Sequence, residues 1–221
     1  MANQAHIDIF SDPVCPWCLV GLTRLNNAIC RVRKAAKIPL EINISHHPFL
    51  LDAKTPKEGE DVREMLRRKY GRAPDEMFER LQVEAKISGL DLDMEKQKRR
   101  DPSQRALVLI MAAAEKGSQH DLALAFSHAC YLDGLNINDD GVLISIALKH
   151  GFEKSEAVAI LANGQLVEAI EKNARWAPTA GITGVPYFIF NNSFAFSGAQ
   201  SEQVFDSALE RALAMEKAGG G

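Results

Sequence analysis

Apolar and polar residues alternate at both ends of this chain and recur with helical spacing between. Residues 6–10 (His-Ile-Asp-Ile-Phe) form a short apolar stretch that reads as a strand. Residues 15–36 follow with Leu19, Leu22, Leu25, Ile29 and Val32 on one helical face. Pro39 then separates that helix from residues 40–44 (Leu-Glu-Ile-Asn-Ile), a strictly alternating strand. So compact a strand–helix–strand unit implies parallel pairing through a right-handed crossover.

Between residues 52 and 177 every segment reads as helix. Pro74-Asp75-Glu76 gives a start with acids in the first turn and Gly89 a stop. Asp101-Pro102 reads as a cap with proline at the first helical position, feeding an apolar run that ends at Gly117. Ser118 caps the next helix, which ends near Gly134, and Asp139 or Asp140, Ser155 and Gly164 punctuate the remainder. Alternation returns in residues 187–190 (Tyr-Phe-Ile-Phe) and 193–196 (Ser-Phe-Ala-Phe). They flank Asn191-Asn192, a pair suited to a two-residue hairpin turn because asparagine tolerates positive φ. Ser201 caps a last helix with Val204, Phe205, Leu209, Ala212 and Leu213 on one face, and Gly219-Gly220-Gly221 reads as a flexible tail.

The pattern therefore predicts an α/β fold: residues 1–51 and 178–221 form one discontinuous domain with four strands, interrupted by an all-helical insertion over residues 52–177. A chain of 221 residues, 46% hydrophobic and 25% charged, can bury a sizeable core. A formal net charge of −3 argues against a dedicated nucleic-acid binder. The basic runs 63–72 and 96–100 are interleaved with acids or follow them closely, and read as solvated helical faces, with an interaction patch as the alternative. No apolar run reaches membrane-spanning length, and the chain enters a strand within a few residues of Met1, so a cytoplasmic protein is expected.

Chemistry concentrates at Cys15-Pro16-Trp17-Cys18, between the first strand and its helix. Two cysteines at this spacing can pass between dithiol and disulfide with little backbone movement. The unpaired N–H groups and positive dipole end of the helix favour a thiolate on the first of them. Pro16 fits the first helical turn, where its missing N–H breaks no bond. A half zinc site is the competing reading, but no second Cys-x-x-Cys exists and His46 and His47 are adjacent, poor spacing for one metal; none is expected. An ordinary structural bridge across so short a loop would add little stability. Cys30 and Cys130 read as buried, free core residues.

The order of these pieces resembles the DsbA-type thioredoxin-fold proteins, and within them the FrnE-like branch of disulfide oxidoreductases. The segments that carry it are Ser11-Asp12-Pro13-Val14-Cys15-Pro16-Trp17-Cys18, His47-Pro48-Phe49-Leu50-Leu51, Asn136-Ile137-Asn138-Asp139, Gly181-Ile182-Thr183-Gly184-Val185-Pro186-Tyr187-Phe188 and Ser197-Gly198-Ala199-Gln200. The resemblance implies a thioredoxin-like fold, a cis bond between Val185 and Pro186, and a Val185 backbone edge on which an extended substrate pairs. Arg105-Ala106-Leu107 stands where many relatives carry Ala-His-Arg, which puts substrate choice in doubt.

The expected chemistry is thiol–disulfide exchange through a mixed disulfide, with Cys15 and Cys18 catalytic and Pro16, Trp17, Val185 and Pro186 binding substrate. Trp17 carries no charge to stabilise a thiolate, so the pair should be a weaker oxidant than the DsbA value of about −120 mV. Reductase or isomerase use in the cytosol follows. Among polar candidates, Asp12 reads as a turn residue able to tune Cys15, Asp8 as a proton relay to Cys18, and His46 and His47 as residues at a strand end. Partners are expected to be protein or small-molecule thiols and disulfides. No bound cofactor is expected beyond the Cys15–Cys18 disulfide, glutathione could serve as reductant or co-substrate, and a homodimer is compatible with this architecture. The alternatives are a glutathione-dependent isomerase or transferase of the kappa-class type acting on a small aromatic substrate, with serine in place of Cys15, and a partner-binding scaffold with a vestigial dithiol.

Overall fold

The structure, a computed structural model, describes residues 3–218, with side chains described through residue 215; the glycine tail lies outside the described residues. Strand β1 (Asn3–Ser11) leads into helix α1 (Pro16–Ala35), which crosses to β2 (Leu40–Pro48). A short ladder strand, β3 (Glu60–Asp61), precedes α2 (Val62–Tyr70) and α3 (Asp75–Ile87), and its partner β4 (Arg99–Arg100) precedes α4 (Gln104–Ala112). Five helices follow: α5 (Gln119–Tyr131), α6 (Asp140–Leu148), α7 (Lys154–Ala162), α8 (Gly164–Ala174) and α9 (Trp176–Thr179). The hairpin β5 (Tyr187–Phe190) and β6 (Phe194–Ser197) then leads to α10 (Glu202–Ala218).

The main sheet has the order β2-β1-β5-β6, with β1 parallel to β2 and antiparallel to β5. Alternation along β1 sends Ala5, Ile7 and Ile9 to one face, where they meet Leu22, Leu25 and Ala28 of α1 and Phe205 and Leu209 of α10. Phe10 turns to the other face, with Phe49, Ala177 and Ile182. Leu19 and Val20 of α1 enter a third and larger cluster built from the helices, so α1 is shared between sheet and helices. Arg24 pins that junction. Fully buried, it donates to Ser88 Oγ (2.8 Å), to the carbonyls of Ala199 (2.8 Å) and Gln200 (2.9 Å), and to Glu84 Oε2 (2.5 Å).

Several expectations are corrected. β2 runs on to Pro48, because its full length pairs with β1 and Gln119 accepts from the His46 N–H; His46 and His47 therefore lie inside the strand. The β3–β4 ladder means that the inserted segment is not wholly helical. Asp101-Pro102 lies before α4, whose cap is Ser103, and α7 starts at a capping box between Glu153 and Glu156 rather than at Ser155. Asn191 and Asn192 adopt positive φ as expected, but Phe190 pairs with Phe194, so Ser193 joins the turn. Val204 is exposed on α10, and Cys30 is exposed rather than packed in the core. Among the described residues no helix is long and apolar enough to cross a membrane.

Candidate active site

Cys15 is the N-cap of α1 and Pro16 its first residue, so the helix opens at the first cysteine. The Cys15 N–H donates to the Asp12 carbonyl (2.9 Å), and the Cys15 carbonyl accepts from Cys18 (2.9 Å) and Leu19 (3.3 Å). Both cysteines are free thiols and neither is much exposed, Cys15 at 4% and Cys18 at 0%. They differ in surroundings. Cys15 lines a cleft and its Sγ lies 3.8 Å from the Val185 carbonyl. Cys18 faces inward, and burial, then the hydrogen bond and charge of Cys15, push its thiol well above the usual range.

The Val185–Pro186 bond is cis. The Pro186 carbonyl accepts from Gly198 (2.7 Å), fastening this loop to the end of β6. α1 approaches it closely at Gly21, where a Cβ would stand 2.9 Å from Pro186 Cγ and 3.2 Å from Phe188 Cζ. Glycine at that position is what lets the helix and the loop meet. The Val185 N–H has no acceptor among the described residues, leaving a backbone donor beside Cys15.

The acid beneath the pair is Asp12, 1% exposed. Its carboxylate accepts from the N–H groups of Val14 (3.1 Å) and Leu51 (2.9 Å), with Ser103 as a further donor. Burial still wins, and the Asp12 pKa lies above the ordinary aspartate value despite those bonds and the positive charge of Arg100. Asp8 does not fill the expected relay role. It lies on the face of β1 turned away from α1, held by His47 Nε2 (2.6 Å) and His6 Nε2 (3.2 Å). His46 is buried, with Nε2 2.9 Å from His120 Nδ1 and Nδ1 3.3 Å from Ser11 Oγ, while His47 stacks on Phe10. Neither histidine lines the cleft.

That cleft, about 390 Å³, lies between the cysteine helix and the inserted segment. Trp17, Met65, Phe78 and Tyr131 line it, and Val185 closes it on the Cys15 side. Trp17 packs on the helical core with the Arg80 guanidinium 5.8 Å above its ring. Tyr131 donates to the Val14 carbonyl (2.6 Å), which braces the turn before Cys15. The structure thus brings Cys15, Pro16, Trp17 and Val185 to one cleft, with Cys18 behind Cys15 and Pro186 against α1. Sequence reasoning missed Tyr131, which nothing in the local pattern marks, and read Lys69, Arg99 and Arg100, which also line the cleft, as part of solvated basic runs. The burial of Asp12 has a sequence signal, an acid set among the apolar residues Phe10, Pro13 and Val14.

A dithiol at a helix start, a cis-proline loop against it and a four-stranded sheet define a thioredoxin-like fold of the DsbA-like oxidoreductase class. The chain belongs to the family of the DSBA-like thioredoxin domain, which matches residues 6–210. It is a DsbA-like thiol–disulfide oxidoreductase with a substantial additional helical region. A protein of Streptomyces coelicolor described as a probable DsbA oxidoreductase is 28% identical, with a TM-score of 0.82 over 95% of this chain and 90% of that one. The cytosolic disulfide reductase DsbM of Pseudomonas aeruginosa with GSH (16% identical, TM-score 0.63, 96% and 98% covered) shares the fold. So does a 2-hydroxychromene-2-carboxylate isomerase (14%, 0.68, 98% and 100%). No curated protein matches the chain.

Proposed function

We propose that Cys15 is the nucleophile and Cys18 the resolving thiol of a cytosolic FrnE-like enzyme that reduces or isomerises disulfides. The observation that carries this reading is the asymmetry of the pair: Cys15 lines the cleft beside Val185, while Cys18 lies behind it with its thiol held protonated by burial. Cys15 thiolate attacks a substrate sulfur, forming a mixed disulfide and releasing the first substrate thiolate. Cys18 then gives up its proton, attacks Cys15 Sγ and releases the second, so two electrons pass to the substrate. Asp12, buried and with its pKa raised, is the group suited to receive that proton.

The Val185 N–H and carbonyl offer an extended substrate a strand-like edge, held in place by Pro186 against Gly21. Pro16 and Trp17 form the near wall of the substrate site, and the inserted helical domain over residues 52–177 forms its far wall. Glutathione serves as the reductant that returns the Cys15–Cys18 disulfide to the dithiol. An intact cysteine pair favours this chemistry over the serine-based isomerases that share the fold.

The test is trapping. In a Cys30→Ser background, since Cys30 is exposed, Cys18→Ser incubated with an oxidised protein substrate should accumulate a mixed disulfide at Cys15, visible by mass, and Cys15→Ser should form none. Equal trapping by both variants, or by neither, refutes the assignment.

A further inference from the structure

The cleft beside Cys15 carries three cations and no acid. Lys69, Arg99 and Arg100 line it, and no aspartate or glutamate does. Among the described residues none of the three forms an ion pair, whereas Arg63 and Arg68 on the same stretch are paired with Asp75 and Glu60. Arg100 is the telling one. It is 7% exposed, its Nε has no hydrogen-bond partner, and Nη1 meets only the Met65 sulfur at 3.7 Å. Asp12 feels the charge of Arg100 but forms no ion pair with it and is occupied by Val14, Leu51 and Ser103, while Glu60, opposite Arg100 in the β3–β4 ladder, pairs with Arg68 instead. A buried guanidinium without a hydrogen-bonded anion is costly, and a ligand anion offsets that cost. Most of the remaining lining is apolar, with Met65, Met77, Met94, Leu81 and Phe78, and its polar side chains, among them Gln97 and Thr183, are uncharged. A volume of about 390 Å³ is in the range of small-molecule sites.

Resting on the exchange mechanism proposed above, we infer that this cleft selects a small disulfide with an apolar body and a carboxylate, the carboxylate seated on Arg100 with Lys69 and Arg99 at the rim. Such a disulfide, R–S–S–R, accepts two electrons from the Cys15–Cys18 dithiol, and leaves as two RSH. Oxidised glutathione carries carboxylates without the apolar body and fits the lining less well.

The test uses full-length protein with Cys30→Ser, since Cys30 is exposed and would react. The reduced protein is mixed with 5,5′-dithiobis(2-nitrobenzoate), an aromatic dicarboxylate disulfide, with the uncharged 4,4′-dithiodipyridine, and with oxidised glutathione. Each rate is divided by that of a simple dithiol with the same probe. The expected result is a normalised preference for the aromatic dicarboxylate of roughly tenfold or more over both others, falling as salt rises. Arg100→Met, which keeps the volume and removes the charge, should bring the two aromatic probes to parity. Because Arg100 is buried, Lys69→Gln and Arg99→Gln provide exposed counterparts, each lowering the preference several-fold. Equal normalised rates for the two aromatic probes, independent of salt, overturn the inference while leaving exchange at Cys15 intact. Failure of Cys15 to react with any probe overturns the exchange mechanism itself.

Discussion

Replacing Gly21 by alanine tests whether contact between α1 and the cis-proline loop sets the activity. The new Cβ would stand 2.9 Å from Pro186 Cγ and 3.2 Å from Phe188 Cζ. Carbon atoms rest at about 3.5 Å or more, so roughly 0.6 Å of movement is needed at the proline. Overpacking of this kind costs about 1–3 kcal/mol, and alanine in place of a helical glycine returns about 1 kcal/mol. Net destabilisation should therefore be small, about 0–2 kcal/mol. Activity should suffer more. The loop that moves carries the Val185 carbonyl, 3.8 Å from Cys15 Sγ, and the Val185 N–H that we assign to substrate. Displacements approaching 1 Å in a reacting geometry cost up to about a hundredfold, so a drop of ten- to a hundredfold is expected. Urea unfolding followed by circular dichroism reads the first quantity, and reduction of a peptide disulfide under single-turnover conditions reads the second. A folded Gly21→Ala variant with the wild-type exchange rate would refute the reasoning.

Other expectations concern the groups that hold this arrangement. Arg24→Ala leaves the carbonyls of Ala199 and Gln200 and the Ser88 hydroxyl without their donor, and urea melts should show a loss of about 3 kcal/mol, the low end for a broken buried pair because Glu84 is partly exposed. Burial lowers the pKa of His120 from 6.5 to about 4, and that of His46 well below 6.5. The unfolded chain therefore takes up protons first, and stability present above pH 6.5 is lost as pH falls towards about 4. The His120 share is at most about 3 kcal/mol, and His120→Gln should flatten the slope of the urea midpoint against pH over that window. If Asp12 takes the Cys18 proton as proposed, Asp12→Asn should make mixed disulfide accumulate in single-turnover quench experiments while its formation is nearly unchanged.

The alternation in β1, the helical spacing of α1 and the apolar hairpin are all local signals, and each is legible because one face of each element is buried against the next. The placing of Cys15 and Cys18 at a helix start and the cis bond between Val185 and Pro186 were equally legible, since these residues sit in short contiguous motifs. Long-range partnership was not. β2 extends through Ser45, His46 and His47 because β1 pairs with it along its full length and α5 supplies Gln119 and His120, seventy residues away and more. Arg100 ends a basic run that reads as solvated, and only the packing of β3, β4 and Met65 around it makes it a buried wall of the cleft. The placing of Asp8 and Asp12 was hidden for a similar reason: β1 turns Asp8 away from α1, while the turn after it buries Asp12 close to the cysteines.

The central claim is that Cys15 and Cys18 exchange between dithiol and disulfide. Equilibrating the protein across mixtures of reduced and oxidised glutathione, trapping free thiols and mapping the bridge by mass tests it directly. The account predicts one reversible two-electron transition, with an intramolecular Cys15–Cys18 bridge in the oxidised form and both thiols free in the reduced form. A Cys15–glutathione adduct that never resolves, or no change at either cysteine across the series, would contradict it.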